Sequence, residues 1–96
     1  MSDYIQSMDS KTLKQRSEIC VTYIKTASHN LVQSQGKYRE YWAHSKVTWI
    51  ESHLITVTEQ QRRSPSLYKA RMLVNINRDL ARAHSVWQSA IRGIAA

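Results

Sequence analysis

The feature that most constrains this chain is its shortage of residues that interrupt helices. Its 96 residues contain 2 glycines and 1 proline. Sandwiches and α/β folds turn tightly and often, and they need many more of both residue types. Interior breaks occur at Gly36 and in the segment 62–66, and they leave three long stretches with helical periodicity. We therefore expect an all-α fold.

The expected architecture is a bundle of two or three long, antiparallel, coiled-coil-like helices. A homodimer of this chain is one form that such a bundle can take. Residues 1–9 are predicted to be an N-terminal arm, flexible or partly helical. Residues 10–96 are predicted to form a single helical-bundle domain.

The first stretch, residues 10–35, starts at a cap provided by Asp9 or Ser10. Its seam alternates steps of three and four residues and consists of Leu13, Ser17, Cys20, Ile24, Ala27, Leu31 and Ser34, with Ile19, Val21, Tyr23 and Val32 widening it. Beside Gly36 the seam changes phase, which favours a turn. The alternative is a helix that continues through Gly36 at a cost of about 1 kcal/mol.

The second and third stretches differ in how many faces are apolar. Residues 37–62 carry one seam of Ala43, Val47, Ile50, Leu54 and Val57 and a second, aromatic face. Ser64 is the expected cap of the third stretch and Pro65 its first helical residue. The third seam, from residue 65 to residue 94, is the most regular: Leu73, Ile76, Leu80, Ala83, Trp87, Ala90 and Ile94. A helix of that length would be about 45 Å long.

A surplus of positive charge restricts the partners. The chain has 14 Lys and Arg against 7 Asp and Glu, a net charge of +7, which favours nucleic acid, a membrane surface or an acidic protein. One side of the third stretch, opposite its seam, carries arginines and small polar residues and no acidic residue. Its members are Arg71, Asn75, Arg78, Arg82 and Arg92, with Ser85 and Ser89 between them. Such a stripe suits phosphate groups or an acidic protein. An ordinary solvated helix face is the alternative.

An aromatic face on the second stretch is the other candidate site. It consists of Tyr38, Tyr41, Trp42 and Trp49, interleaved with Lys37, Arg39 and Lys46. Tyr, Trp and Arg dominate protein-binding hot spots, so we expect this face to bind a partner protein. Burial in the core or between subunits, and stacking of single-stranded bases, are the alternatives.

Catalytic motifs are not found. The sequence contains no GxGxxG, GxxxxGK[ST], GxSxG or HExxH pattern. Glu40 and His44 could share a metal on one helix face, but a solvated surface pair explains them as well. The single cysteine, Cys20, lies in the first seam, where a thiol behaves as a small hydrophobe. We expect no enzyme, no cofactor and no bound metal.

These observations predict a non-enzymatic interaction protein of the cytoplasm, with neither a signal peptide nor a membrane-spanning helix. It would be a small basic adaptor or modulator that binds a partner protein within a nucleic-acid-processing complex. Phage- and plasmid-encoded accessory factors are often of this size and type. Direct nucleic-acid binding through the arginines of the third stretch is the alternative function.

Overall fold

The computed structural model describes residues 2–95, and within them the chain forms four helices and no strand. The helices are α1 (Ser2–Gln6), α2 (Ser10–Gln33), α3 (Gly36–Arg63) and α4 (Leu67–Ala95). The all-α prediction is confirmed, but two or three helices was too few, because the N-terminal arm contains α1. Met1 and Ala96, the outer ends of the predicted arm and domain, lie outside the described residues.

The boundary between α2 and α3 is a turn at Gly36, so the alternative of a continuous helix is wrong. Gly36 has φ +59°, in the left-handed region that costs a glycine little. The amide of Ser34 donates to the carbonyl of Leu31 at 3.4 Å and ends α2. At the other end of α2, the Asp9 carboxylate accepts from the amide of Thr12 at 2.7 Å, so Asp9 is the cap.

The connection between α3 and α4 differs from the prediction by two residues. The hydroxyl of Ser66, not Ser64, accepts from the amide of Lys69 at 3.1 Å and caps α4. Ser64 is still bound to the end of α3, because its amide donates to the carbonyl of Gln60 at 3.0 Å. Pro65 accordingly precedes the cap and is not the first residue of α4.

Helix α3 is the element against which α1, α2 and α4 all pack. The molecule measures 46 × 22 × 21 Å, so its length is that of the longest helices. One core cluster lies between α3 and α4 and consists of Val47, Ile50, Val57, Ile76 and Ala83; a second joins Leu31, Ala43 and Ala90. None of the helices between Ser2 and Ala95 is both long and apolar enough to cross a bilayer.

Most of the buried apolar residues lie on the predicted seams, but the buried stripes are narrower than expected, and Ile94 at the end of the third seam is 43% exposed. In α2 the buried residues are Leu13, Cys20, Ala27 and Leu31, all from the predicted seam. The residues expected to widen it are exposed: Ile19 by 50%, Val21 by 36%, Tyr23 by 48% and Val32 by 82%. The physical reason is that α2 packs mainly on a single helix, α3, which covers only one stripe of its surface.

Two groups of polar side chains are hydrogen-bonded around a buried residue of α3, Thr56 in one and Glu59 in the other. Between α2 and α3, Arg16 donates from Nε to Thr56 Oγ1 at 3.0 Å and from Nη2 to Ser52 Oγ at 2.8 Å. At the end of α3, the buried carboxylate of Glu59 accepts from Arg62 and Arg63, each at 2.6 Å. These guanidinium groups lower the pKa of Glu59 from 4.5 to about 2.

The second of these arginines also holds the N-terminal helix. Nη2 of Arg63 donates to the carbonyl oxygen of Gln6 at 2.9 Å and approaches that of Ile5 at 3.4 Å. Ile5 is 5% exposed, so α1 contributes an apolar side chain to the bundle.

Candidate functional site

The four aromatic residues of α3 do not form one continuous ridge. The ring of Trp49 stacks on that of Tyr23 from α2, with centroids 4.5 Å apart and planes 9° from parallel. Trp49 is therefore half-covered by a neighbouring helix of the same chain. The other three residues lie together near the start of α3.

These three residues and Lys37 form what we call the aromatic patch: Lys37, Tyr38, Tyr41 and Trp42. They line a shallow recess of about 540 Å³. Tyr38 is 75% exposed and Tyr41 60% exposed, while Trp42 is half-buried. The rings of Tyr41 and Trp42 meet edge to face, with centroids 5.0 Å apart. The patch thus presents two accessible phenol groups beside a fixed indole.

Trp42 is fixed because its inner side belongs to the bundle. It packs against the core cluster of Leu31, Ala43 and Ala90, so the indole connects the patch to all three long helices. A hot spot gains affinity from anchors that need little ordering on binding. Trp42 has the properties of such an anchor, and the two tyrosines beside it supply the accessible surface.

Two of the three basic residues expected beside the aromatics, Arg39 and Lys46, contact other parts of the molecule. Arg39 donates from Nη1 to the carbonyl of Leu31 at 3.1 Å and helps to satisfy the end of α2. Lys46 lines a different surface, a groove between α2 and α4. Lys37 remains as the cation of the aromatic patch.

The arginines and Asn75 of α4 lie together on the exposed side of the helix, and we call this set the arginine stripe: Arg71, Asn75, Arg78, Arg82 and Arg92. None of the four arginines forms an ion pair with the residues that the structure describes. Arg78 donates to Asn75 Oδ1 at 3.0 Å. From Arg71 to Arg92 the stripe extends over about 32 Å. Val74, 68% exposed, interrupts it.

The groove between α2 and α4 was not anticipated from the sequence. It has a volume of about 390 Å³, and Lys46, His53, Asp79 and Arg82 contribute its polar lining. Its apolar floor, including Ile50, is already buried within the bundle. His53 is half-buried and lies 3.2 Å from the hydroxyl of Ser17, and burial lowers the pKa of its imidazole. The i, i+4, i+7 spacing of Lys46, Ile50 and His53 places them on one face of the helix, and this pattern in the sequence could have predicted the groove.

Glu40 and His44, considered as a metal-binding pair, both contact Trp87 instead. The indole Nε1 of Trp87 donates to Glu40 Oε1 at 2.9 Å, and its ring lies 4.7 Å from that of His44. Across the residues 2–95, no group of three or more His, Cys, Asp and Glu side chains is arranged to hold a metal ion. The pair therefore joins α3 to α4.

No protein-family model, curated protein or solved structure matches this chain.

Proposed function

We propose that this chain is a non-enzymatic interaction protein that binds a partner protein through the aromatic patch. The observation that carries the proposal is the pair of exposed tyrosines held beside Trp42, whose inner side is part of the core. Monomeric proteins seldom expose such groups together without a partner to cover them. The net charge of +7 suits a role as adaptor or modulator inside a nucleic-acid-processing complex.

The finer architecture is also a proposal. We propose that the long helices form an antiparallel, coiled-coil-like bundle. Arg16, early in α2, bonds to Ser52 and Thr56, late in α3. Leu31, late in α2, packs with Ala43, early in α3. These contacts support helices that run in opposite directions, and the buried free thiol of Cys20 suits the reducing cytoplasm.

The partner-binding proposal is tested by capture from a lysate of the native cell, repeated after nuclease treatment. We expect the wild type to retain one protein in both cases, and the double variant Tyr38→Ala, Tyr41→Ala to lose it. Tyr68→Ala is the matched control, because Tyr68 is 74% exposed, much like Tyr38, but lies on α4. Equal loss in control and variant, or capture that depends on nucleic acid, would contradict the proposal.

Direct nucleic-acid binding through the arginine stripe is the second candidate function. Four exposed arginines on one side of a helix, without ion pairs among the described residues, favour it. Removing two phosphate contacts by Arg71→Ala and Arg78→Ala should reduce the slope of log affinity against log salt by about two units. Lys11→Ala with Lys14→Ala, two exposed cations of α2, is the control and should leave the slope unchanged.

A further inference from the structure

The groove that runs along α3, between α2 and α4, has the size of a small-molecule site. Its floor extends from Ala43 to His53, which is about 15 Å at 1.5 Å per residue. Its volume of about 390 Å³ falls within the roughly 300–1,000 Å³ of sites that bind small ligands. Because residues of all three long helices line it, a ligand in the groove would be covered from below and from both sides.

The polar lining of the groove carries one net positive charge. Lys46 of α3 and Arg82 of α4 are cations, and Asp79 of α4 is the one carboxylate among the described residues that line it. His53 adds no charge at neutral pH, because burial lowers the pKa of its imidazole below the ordinary value. A ligand with a single negative charge would therefore neutralise the groove.

The charged side chains of the groove are not paired with one another. Lys46, Asp79 and Arg82 form no ion pair with the residues that the structure describes, although Asp79 and Arg82 are three residues apart on one helix. Lys46 is half-buried, so its side chain would lose less freedom on binding than a fully exposed lysine. Both cations are thus available to an anion that enters the groove.

Apolar side chains line the groove on both flanking helices. Ile24 on α2 and Val86 on α4 are half-buried, so each keeps apolar surface that a ligand can cover. Between them, Ile50 is 3% exposed and belongs to a core cluster, which fixes the floor. An inorganic ion would leave the two walls in contact with water, whereas a ligand with an apolar body would cover them favourably.

We propose that this groove binds a small organic carboxylate, a monoanion with an apolar chain or ring. Its carboxylate lies between Lys46 and Arg82, whose guanidinium can donate two parallel hydrogen bonds to it. Its apolar body lies against Ile24 and Val86. Asp79 disfavours a second negative charge on the ligand by repulsion. The inference does not depend on the partner proposed for the aromatic patch, which shares no residue with the groove.

Nuclear magnetic resonance titration of the isotope-labelled full chain with three probes tests the proposal. Sodium octanoate has a carboxylate and a chain, sodium acetate has the carboxylate with almost no chain, and 1-octanol has the chain without the charge. Octanoate should bind with a Kd of about 0.1–1 mM and shift the amide signals of residues 43–53 and 76–86 most. Acetate and 1-octanol should each bind at least about fivefold more weakly.

Three results of these titrations would overturn the inference. The first is octanoate that does not bind at about 10 mM. The second is octanoate that binds no more tightly than acetate or 1-octanol. The third is a set of largest shifts at Tyr38 and Tyr41, which would place the probe on the aromatic patch instead.

Charge variants in matched pairs locate the carboxylate. Lys46→Gln should weaken octanoate binding about fivefold and leave 1-octanol binding unchanged, whereas Lys11→Gln removes the same charge from the exposed start of α2 and should change neither. Asp79→Asn should strengthen octanoate binding about threefold. Glu18→Gln raises the net charge equally, but Glu18 lines a different recess, so it should have no effect. Equal effects within either pair would show that only the overall charge matters and would refute the site.

A variant that fills the groove tests the position of the apolar body. Ser28 is half-buried and lines the groove on α2. Ser28→Leu adds no charge and should weaken octanoate and 1-octanol binding alike, with helix content unchanged by circular dichroism. Octanoate binding at the wild-type Kd in this variant would refute the assignment. Should Ser28→Leu lose helix content, Asp79→Asn, at an exposed residue, still decides between the groove and the rest of the surface.

Discussion

Arg16 allows a quantitative test of how α2 and α3 are held together. Its guanidinium lies between the helices and donates to two hydroxyls, with no carboxylate in contact among the residues that the structure describes. Thr56 is 0% exposed, so the hydrogen bond that its hydroxyl accepts from Arg16 is buried at the acceptor end. Thr56→Val keeps the shape of the side chain and removes that acceptor.

The expected cost follows from which groups are left without partners. In Thr56→Val the charged Nε–H of Arg16 loses its acceptor in a half-buried site, which should destabilise the protein by about 1–3 kcal/mol. In Arg16→Met the hydroxyl of Thr56 still donates to the carbonyl of Ser52, 2.8 Å away. The methionine also keeps most of the apolar stem. We therefore expect Arg16→Met to cost less than about 1 kcal/mol.

The double variant decides the argument. With both polar partners replaced, no buried donor remains unpaired, so its stability should lie close to that of Arg16→Met alone. Urea denaturation of the four proteins gives the coupling free energy, which should equal the cost of Thr56→Val alone, about 1–3 kcal/mol. If the two single effects add within about 0.5 kcal/mol, the guanidinium does not depend on Thr56.

Three further predictions concern the core, a cap and pH. Leu80→Ala should cost about 2–3 kcal/mol, the lower part of the range for leucine, because Leu80 is only partly buried against the core; a thermal midpoint within a degree or two of the wild type would contradict the packing. Ser66→Ala should cost about 1 kcal/mol in urea denaturation, whereas Ser64→Ala, the residue that the sequence suggested as the cap, should cost little. The lowered pKa of His53 means that the unfolded chain takes up its proton first, so stability should decline as pH falls through 6.5. Glu59 has a pKa of about 2 in the folded protein and 4.5 in the unfolded chain, so stability should fall further as the pH drops from 4.5 to 2. In His53→Gln, the urea midpoint should no longer fall as the pH drops through 6.5, whereas the loss of stability due to Glu59 should remain.

The periodic parts of this fold could be predicted because each long helix buries one stripe. Leu13, Cys20 and Ala27 recur at steps of seven and are all buried. The turn at Gly36 could be predicted for a similar reason, since a glycine at a change of seam phase is typical of a helix end with a positive φ. In each case the signal is local, within one helix or one turn.

The arrangement of the aromatic residues could not be predicted in the same way. Whether Trp49 joins Trp42 on a free ridge or stacks on Tyr23 depends on how α2 is placed along α3. Periodicity within a single helix carries no information on that placement. The same holds for Lys46, which belongs to the groove because α2 and α4 lie on either side of it.

The ion pairs of the buried carboxylate could be predicted from the sequence, but its burial could not. Glu59 precedes Arg62 and Arg63 by three and four residues, the spacings at which helical side chains meet. The spacing predicts an ion pair but not its burial, which depends on α1 packing against the end of α3.

The central position of α3 has a consequence for how the protein opens. Since α2 and α4 each pack on α3 and approach each other little, either can detach while the other keeps its contacts. The chain should then fluctuate through two partly open forms, one without α2 and one without α4, in addition to global unfolding. Amide hydrogens of α3 would exchange with solvent only when both flanking helices have left, and α3 would be the most slowly exchanging segment of the molecule.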